Sequence, residues 1–275
     1  MSYKKLLLTL VSAGSLFALS GCGSQADEVV RVGVIGEDHE DWEFVQDKVA
    51  DQGIDLELVS FSDYSQPNRA LDDGDIDLNA FQHRIFLDNF NEEFGTNIVP
   101  IADTVIAPLG IYSEEVQDVS EIGEGAEIAI PNDVTNGGRA LVLLQSAGLI
   151  EVDPDAGILP STDDITDNPL NLEITELDAS QTARSIGDVT AAVINSGIAV
   201  DAGYSPEEDA IFLEPVDENS EPYINVIAAN EGDERESFDI IVDAYQSEDT
   251  LEVINEASEN SEIVVWAEEG YEFSE

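Results

Sequence analysis

From Val29 onward, short β-branched runs alternate with stretches whose apolar residues recur every three or four positions. The first kind of run builds strands and the second builds helices with one apolar face, so their alternation predicts an α/β architecture with a largely parallel sheet. Strands are expected at 29–35, 54–61 and 76–80, and helices at 41–51, 68–71 and 85–94, before an apolar run at 98–111. A second series follows, with strands at 127–130, 172–177, 189–194 and 223–228 and helices at 138–147 and 182–186. Residues 153–171 carry Pro154, Pro160 and Pro169 and read as a surface loop. Helices at 238–245 and 250–257 are expected to return to the first series. The expected organisation is therefore two lobes, 29–111 with 230–275 and 112–229, joined by crossing segments that leave a cleft.

The stretch before Val29 obeys a different logic. Lys4 and Lys5 precede an apolar run at 6–19, too short for a comfortable membrane span, and Leu19-Ser20-Gly21 leads into Cys22. This is the form of a bacterial lipoprotein signal at 1–21, cut so that Cys22 becomes the mature N-terminus and receives diacylglycerol carrying palmitate-like chains. Residues 22–28 would serve as a tether, holding the protein on the extracytoplasmic face of the cell membrane. Cys22 is the single cysteine, so disulfides cannot contribute.

Charge narrows the choice of partners. The chain has 9 basic and 61 acidic residues, a net charge of −52, and loss of Lys4 and Lys5 with the signal takes this to −54. A surface so negative repels phosphates and excludes nucleic acid. Self-repulsion would also oppose folding at low ionic strength, whereas molar salt shortens the Debye length to about 3 Å. The composition thus reads as halophilic. Hydrophobic residues make up 43% of the chain, enough for ordered cores despite the charge.

Among residues that could carry chemistry, Arg139 is one of six arginines and follows Gly137 and Gly138 at the expected start of an apolar helix. Glycine turns at helix N-termini present free N–H groups that favour anions, and an arginine there can grip a carboxylate through two parallel bonds. A surface salt bridge is the competing reading. Phe81, Gln82 and His83 close an expected strand, where clefts of open α/β sheets form, and Tyr64 lies in a similar turn after the preceding strand. His83 could equally be a structural histidine. No Gly-x-Ser-x-Gly elbow and no glycine-rich phosphate loop with lysine occurs, and His39 and His83 lack zinc-site spacing. An enzyme, a metal site and a cofactor are accordingly not expected.

Segments 64–71, 77–87, 130–149, 191–203 and 222–228, in this order and behind a lipidation signal, resemble the methionine-binding lipoproteins that feed ATP-binding cassette importers. The resemblance covers nearly the whole mature chain. It implies a two-lobed periplasmic-binding-protein-like fold of type II, closing over one amino acid as a monomer and delivering it to a permease and its ATPase. Position by position, Arg139 resembles the residue that pairs with the ligand carboxylate. Asn195 and Asn225 resemble the asparagines that hold the ammonium and carboxylate ends, and Tyr64, Phe81 and His83 the wall around the thioether. Many members carry an aromatic residue where this chain has Ala80, and an asparagine followed by an aromatic where it has Gly197-Ile198. These departures leave open a larger methionine derivative, a dipeptide, or another small amino acid or anion on the same scaffold.

Overall fold

The computed structural model describes residues 28–36, 39–217 and 219–268. The expected signal, Cys22 and the tether up to residue 27 lie outside them. The first lobe opens with β1 (Glu28–Ile35), α1 (Glu40–Ala50), β2 (Ile54–Phe61), α2 (Pro67–Asp72), β3 (Leu78–His83), α3 (Arg84–Phe94) and β4 (Ile98–Ile106). The chain then crosses to β5 (Gly110–Tyr112), β6 (Glu127–Pro131), α4 (Val134–Ser146), β7 (Glu151–Val152), β8 (Ile165–Asp167) and β9 (Glu173–Leu177). That lobe is completed by α5 (Ala179–Ser185), β10 (Ala191–Ile194), α6 (Ser196–Asp201), α7 (Pro206–Asp209) and β11 (Phe212–Leu213). The chain returns through β12 (Ile224–Asn230), α8 (Glu236–Tyr245), α9 (Glu248–Ala257) and β13 (Ile263–Val264).

Two mixed sheets organise these elements. The first has the order β13-β4-β12-β3-β1-β2 and the second β11-β5-β10-β6-β9. β1 pairs in parallel with β2 and β3, and β6 with β9 and β10, as expected for strand–helix–strand units. The pairings made by β12, β13, β5 and β11 are antiparallel. Each sheet is covered on both faces. On one face of the first, Val30, Val32 and Val34 of β1 pack with Trp42 and Val45 of α1, Phe238 and Ile241 of α8 and Ile254 of α9. On the other face, Leu71, Ile76, Leu87 and Phe90 meet Val226 and Ala228. Burying each such aliphatic side chain contributes about 1.5–3 kcal/mol, which explains why these strands read as nearly unbroken apolar runs.

The lobe boundaries differ from the expected ones. Gly110 and Ile111, expected in the first lobe, pair with β10 in the second sheet. Residues 224–229, expected in the second lobe, lie in the first sheet between β3 and β4. β12 is a central strand whose Val226, Ile227, Ala228 and Ala229 are fully buried, and order along the chain alone gave no hint of which sheet would take it. The crossings are thus 107–109 and 214–223. The run at 98–111 breaks into two strands of different sheets at the first crossing, and the expected loop at 153–171 contains β8, which pairs with β7. Among the described residues, no helix is long and apolar enough to cross a membrane.

Candidate functional site

The cleft between the sheets holds one continuous cavity of about 420 Å³, within the range of small-molecule sites. Tyr64, Phe81, His83, Arg139, Asn195 and Asn225 all line it. The first three and Asn225 come from the first lobe, and Arg139 and Asn195 from the second.

One polar wall grows from the start of α4. Asp133 is its N-cap and accepts the Asn136 N–H at 2.9 Å. This cap starts the helix at Val134, four residues earlier than expected, and so places Arg139 in its second turn. Gly137 and Gly138 do not present free donors there. The Gly137 N–H bonds to Asp133 O, and a Cβ on Gly137 would sit 2.8 Å from Pro131 O, so this glycine serves close packing.

The same Asp133 fixes the polarity of two buried amides. A carboxylate only accepts, so Asn136 turns its Nδ2 toward Asp133, 3.1 Å from each oxygen. Asn136 Oδ1 is left facing away and accepts from Asn195 Nδ2 at 2.8 Å. Asn195 Oδ1 is consequently committed as an acceptor, and it is buried without a hydrogen-bond partner. Asn136 Oδ1 also lies 3.3 Å from His83 Nε2 across the cleft. His83 Nδ1 accepts from Phe86 N at 3.2 Å as the N-cap of α3, so Nε2 carries the proton and donates. Burial and the Arg139 charge hold the His83 pKa down to about 3, which keeps the ring neutral.

Arg139 is 2% exposed. Its Nε and Nη2 donate to the Glu214 carboxylate at 2.9 and 2.6 Å, Nη2 also donates to Ala107 O at 3.0 Å, and its guanidinium lies 4.3 Å from the Tyr223 ring centre. The ion pair is therefore buried, unlike the surface bridge that composition also allowed. Nη1 is the donor group that these contacts leave over. On the first sheet, Asn225 stands beside His83 in the β12–β3 register, and its Nδ2 donates to Val105 O at 3.2 Å.

The apolar wall is a ring cluster. Tyr64, Phe81 and Phe86 have centroid separations of 5.8–6.1 Å, and His83 stands edge-on to Phe86 and to Tyr223 at 6.1 and 5.5 Å. Burial and nearby carboxylates, Asp133 first, push the Tyr64 hydroxyl pKa well up, so it stays a neutral phenol.

Contacts across the cleft show the lobes closed. Tyr64 and Ile35 pack against Ile198 and Ala199 of α6. Ser205 Oγ donates to Glu259 at 2.7 Å. Gly36, at φ +92°, lies where any Cβ would collide with the Asp201 carboxylate. Among the described residues, no cluster of His, Cys, Asp or Glu is placed to hold a metal ion. Phe86, Glu214 and Tyr223 were not singled out in the sequence. Phe86 had a local signal, one helical turn beyond His83, whereas Glu214 and Tyr223 reach the site only because a crossing segment carries them there.

Known proteins share this fold. The profile of the NlpA lipoprotein family matches residues 30–266. The D-methionine-binding lipoprotein MetQ of Salmonella typhimurium is 40% identical over 275 residues, 97% of this chain and 100% of its own. The substrate binding protein of a methionine transporter from Streptococcus pneumoniae superimposes with a TM-score of 0.82 at 41% identity, covering 86% of this chain and 96% of that one. A nutrient binding protein from Burkholderia cenocepacia bound to methionine gives 0.81 at 39% identity, covering 86% and 99%. A shared two-lobed fold, identity near 40% over nearly the full length and a matching profile together place this chain in the NlpA lipoprotein family of substrate-binding transport proteins.

Proposed function

We propose that this chain is the substrate-binding lipoprotein of an ATP-binding cassette importer and that it captures methionine or a close derivative. The observation that carries the reading is the opposed character of the two cavity walls. One end offers the Arg139 guanidinium beside an acceptor, Asn195 Oδ1, that has no partner in the protein; the other offers Tyr64, Phe81, His83 and Phe86. A zwitterion satisfies the first end, its carboxylate on Arg139 and Asn225 and its ammonium on Asn195. A thioether suits the second, because polarizable sulfur packs well on aromatic rings.

Closure couples binding to delivery. Ligand contacts made by both lobes favour the closed state, and the transporter need only recognise the conformation that ligand makes populous. Attachment through acylated Cys22 on the extracytoplasmic face, and docking as a monomer on a permease with its ATPase, complete the reading.

The test begins with mass spectrometry of small molecules released by denaturing protein from its native host, followed by calorimetric titration with both methionine enantiomers. Recovery or tight binding of methionine is expected, and Asn195→Ala should weaken it about 10- to 100-fold, the worth of a hydrogen bond to a charged group. Replacing Arg139 alone would strand Glu214 in the interior at about 3–5 kcal/mol, so Arg139→Gln is paired with Glu214→Gln. Undiminished methionine binding in that folded double variant would refute the carboxylate assignment.

A further inference from the structure

The cavity does not end at the aromatic wall. It continues past Ala80 of β3 to a chamber beside α1 and the turn after α9, lined by Asp41, Trp42, Tyr245, Ser258 and Glu262. Ala80 packs on the same core cluster as Trp42, Tyr245 and Ile254, so its small side chain marks the junction between cleft and chamber. On the opposite lobe, a Cβ on Gly197 would meet nothing within 4 Å. Among the described residues, Gly197 thus leaves open space on its side of the cleft.

The chamber has a distinct chemistry. Trp42 and Tyr245 lie with ring centres 4.8 Å apart, and the Tyr245 hydroxyl donates to Asp41 at 3.3 Å. Ser258 Oγ is buried without a hydrogen-bond partner. Among the described residues that line the cavity, Arg139 is the only arginine or lysine, and Glu214 already matches its charge. Glu40, Asp41, Asp201, Glu256, Glu259 and Glu262 line the same space. Burial and the Asp41 charge push Glu262 up to about 7, so two carboxyls share this space with His39.

We infer that this chamber is a second subsite, which takes the cationic far end of an α-amino acid longer than methionine, with Ala80 as the passage that admits it. Aromatic faces beside carboxylates are the usual surroundings of a desolvated onium group. The amino-acid end would occupy the Arg139–Asn195 wall, so the inference rests on the reading above.

The experiment is calorimetry on the mature lipoprotein in detergent and molar salt, with L-methionine, L-lysine and ε-N-trimethyl-L-lysine. In the unaltered protein, at least one of the two cations is expected to bind tenfold or more tightly than methionine. Asp41→Asn with Glu262→Gln, and separately Ala80→Phe, should each bring that ratio to within threefold of one. Cations that bind no more tightly than methionine would overturn the subsite while leaving the methionine reading in place, and so would a preference that survives the Asp41→Asn, Glu262→Gln pair. Failure of all three compounds to bind would remove both.

Discussion

His83 shows how much a single side chain can mean once its neighbours are known. As a letter it could be a ligand contact or a structural residue. In the fold it is a neutral donor, capping α3 through Nδ1 and reaching Asn136 through Nε2. Its pKa falls from 6.5 to about 3 on folding, so the unfolded chain binds the extra proton first as pH drops. Stability from this group is complete above about pH 6.5 and declines as pH falls toward 3, by about 2 kcal/mol at pH 5. His83→Asn can retain both the cap and the donor, and should flatten this acid limb. Denaturant titrations of both proteins from pH 5 to pH 8 at constant molar salt would check it. Ring neutrality also predicts a methionine affinity that is flat over the same range.

Helix α4 shows which parts of the site were legible before folding and which were not. Asp133, Thr135, Asn136 and Arg139 fall within seven consecutive residues around one helix start, so Arg139 after Gly137 and Gly138 was enough to point to this stretch. The register of the helix was misjudged because Gly137 and Gly138 suggest a turn, whereas Asp133 caps the chain ahead of them and their missing side chains admit Pro131 and the 159–160 backbone. Asp133→Ala should cost about 1 kcal/mol of stability through the lost cap. It should also weaken methionine binding roughly tenfold, since Asn136 would no longer force Asn195 to present its oxygen. Thermal denaturation and calorimetry on one sample separate the two effects, and a stability loss with unchanged affinity would refute the relay. β12 was harder to assign. Its apolar character foretold a buried strand, but membership in the first sheet depends on pairing with β3 and β4, more than a hundred residues earlier in the chain.

For the molecule entire, charge and closure set the behaviour. With 61 acidic against 9 basic residues, the folded chain concentrates repulsion that salt relieves. The melting temperature is expected to climb by about 10 °C or more between 0.1 M and 2 M sodium chloride; a flat curve measured by circular dichroism would remove the halophilic reading. The two crossings give closure a further meaning. Ala107 and Glu214, which hold Arg139, belong to opposite crossings, and Leu109 N–H ties them together by donating to Glu214 at 3.0 Å. The segments about which the lobes must swing are thus the same segments that aim the guanidinium. A swing cannot leave that aim untouched, so the cleft would loosen its hold on a carboxylate as it opens, and release would be set by the pivot itself.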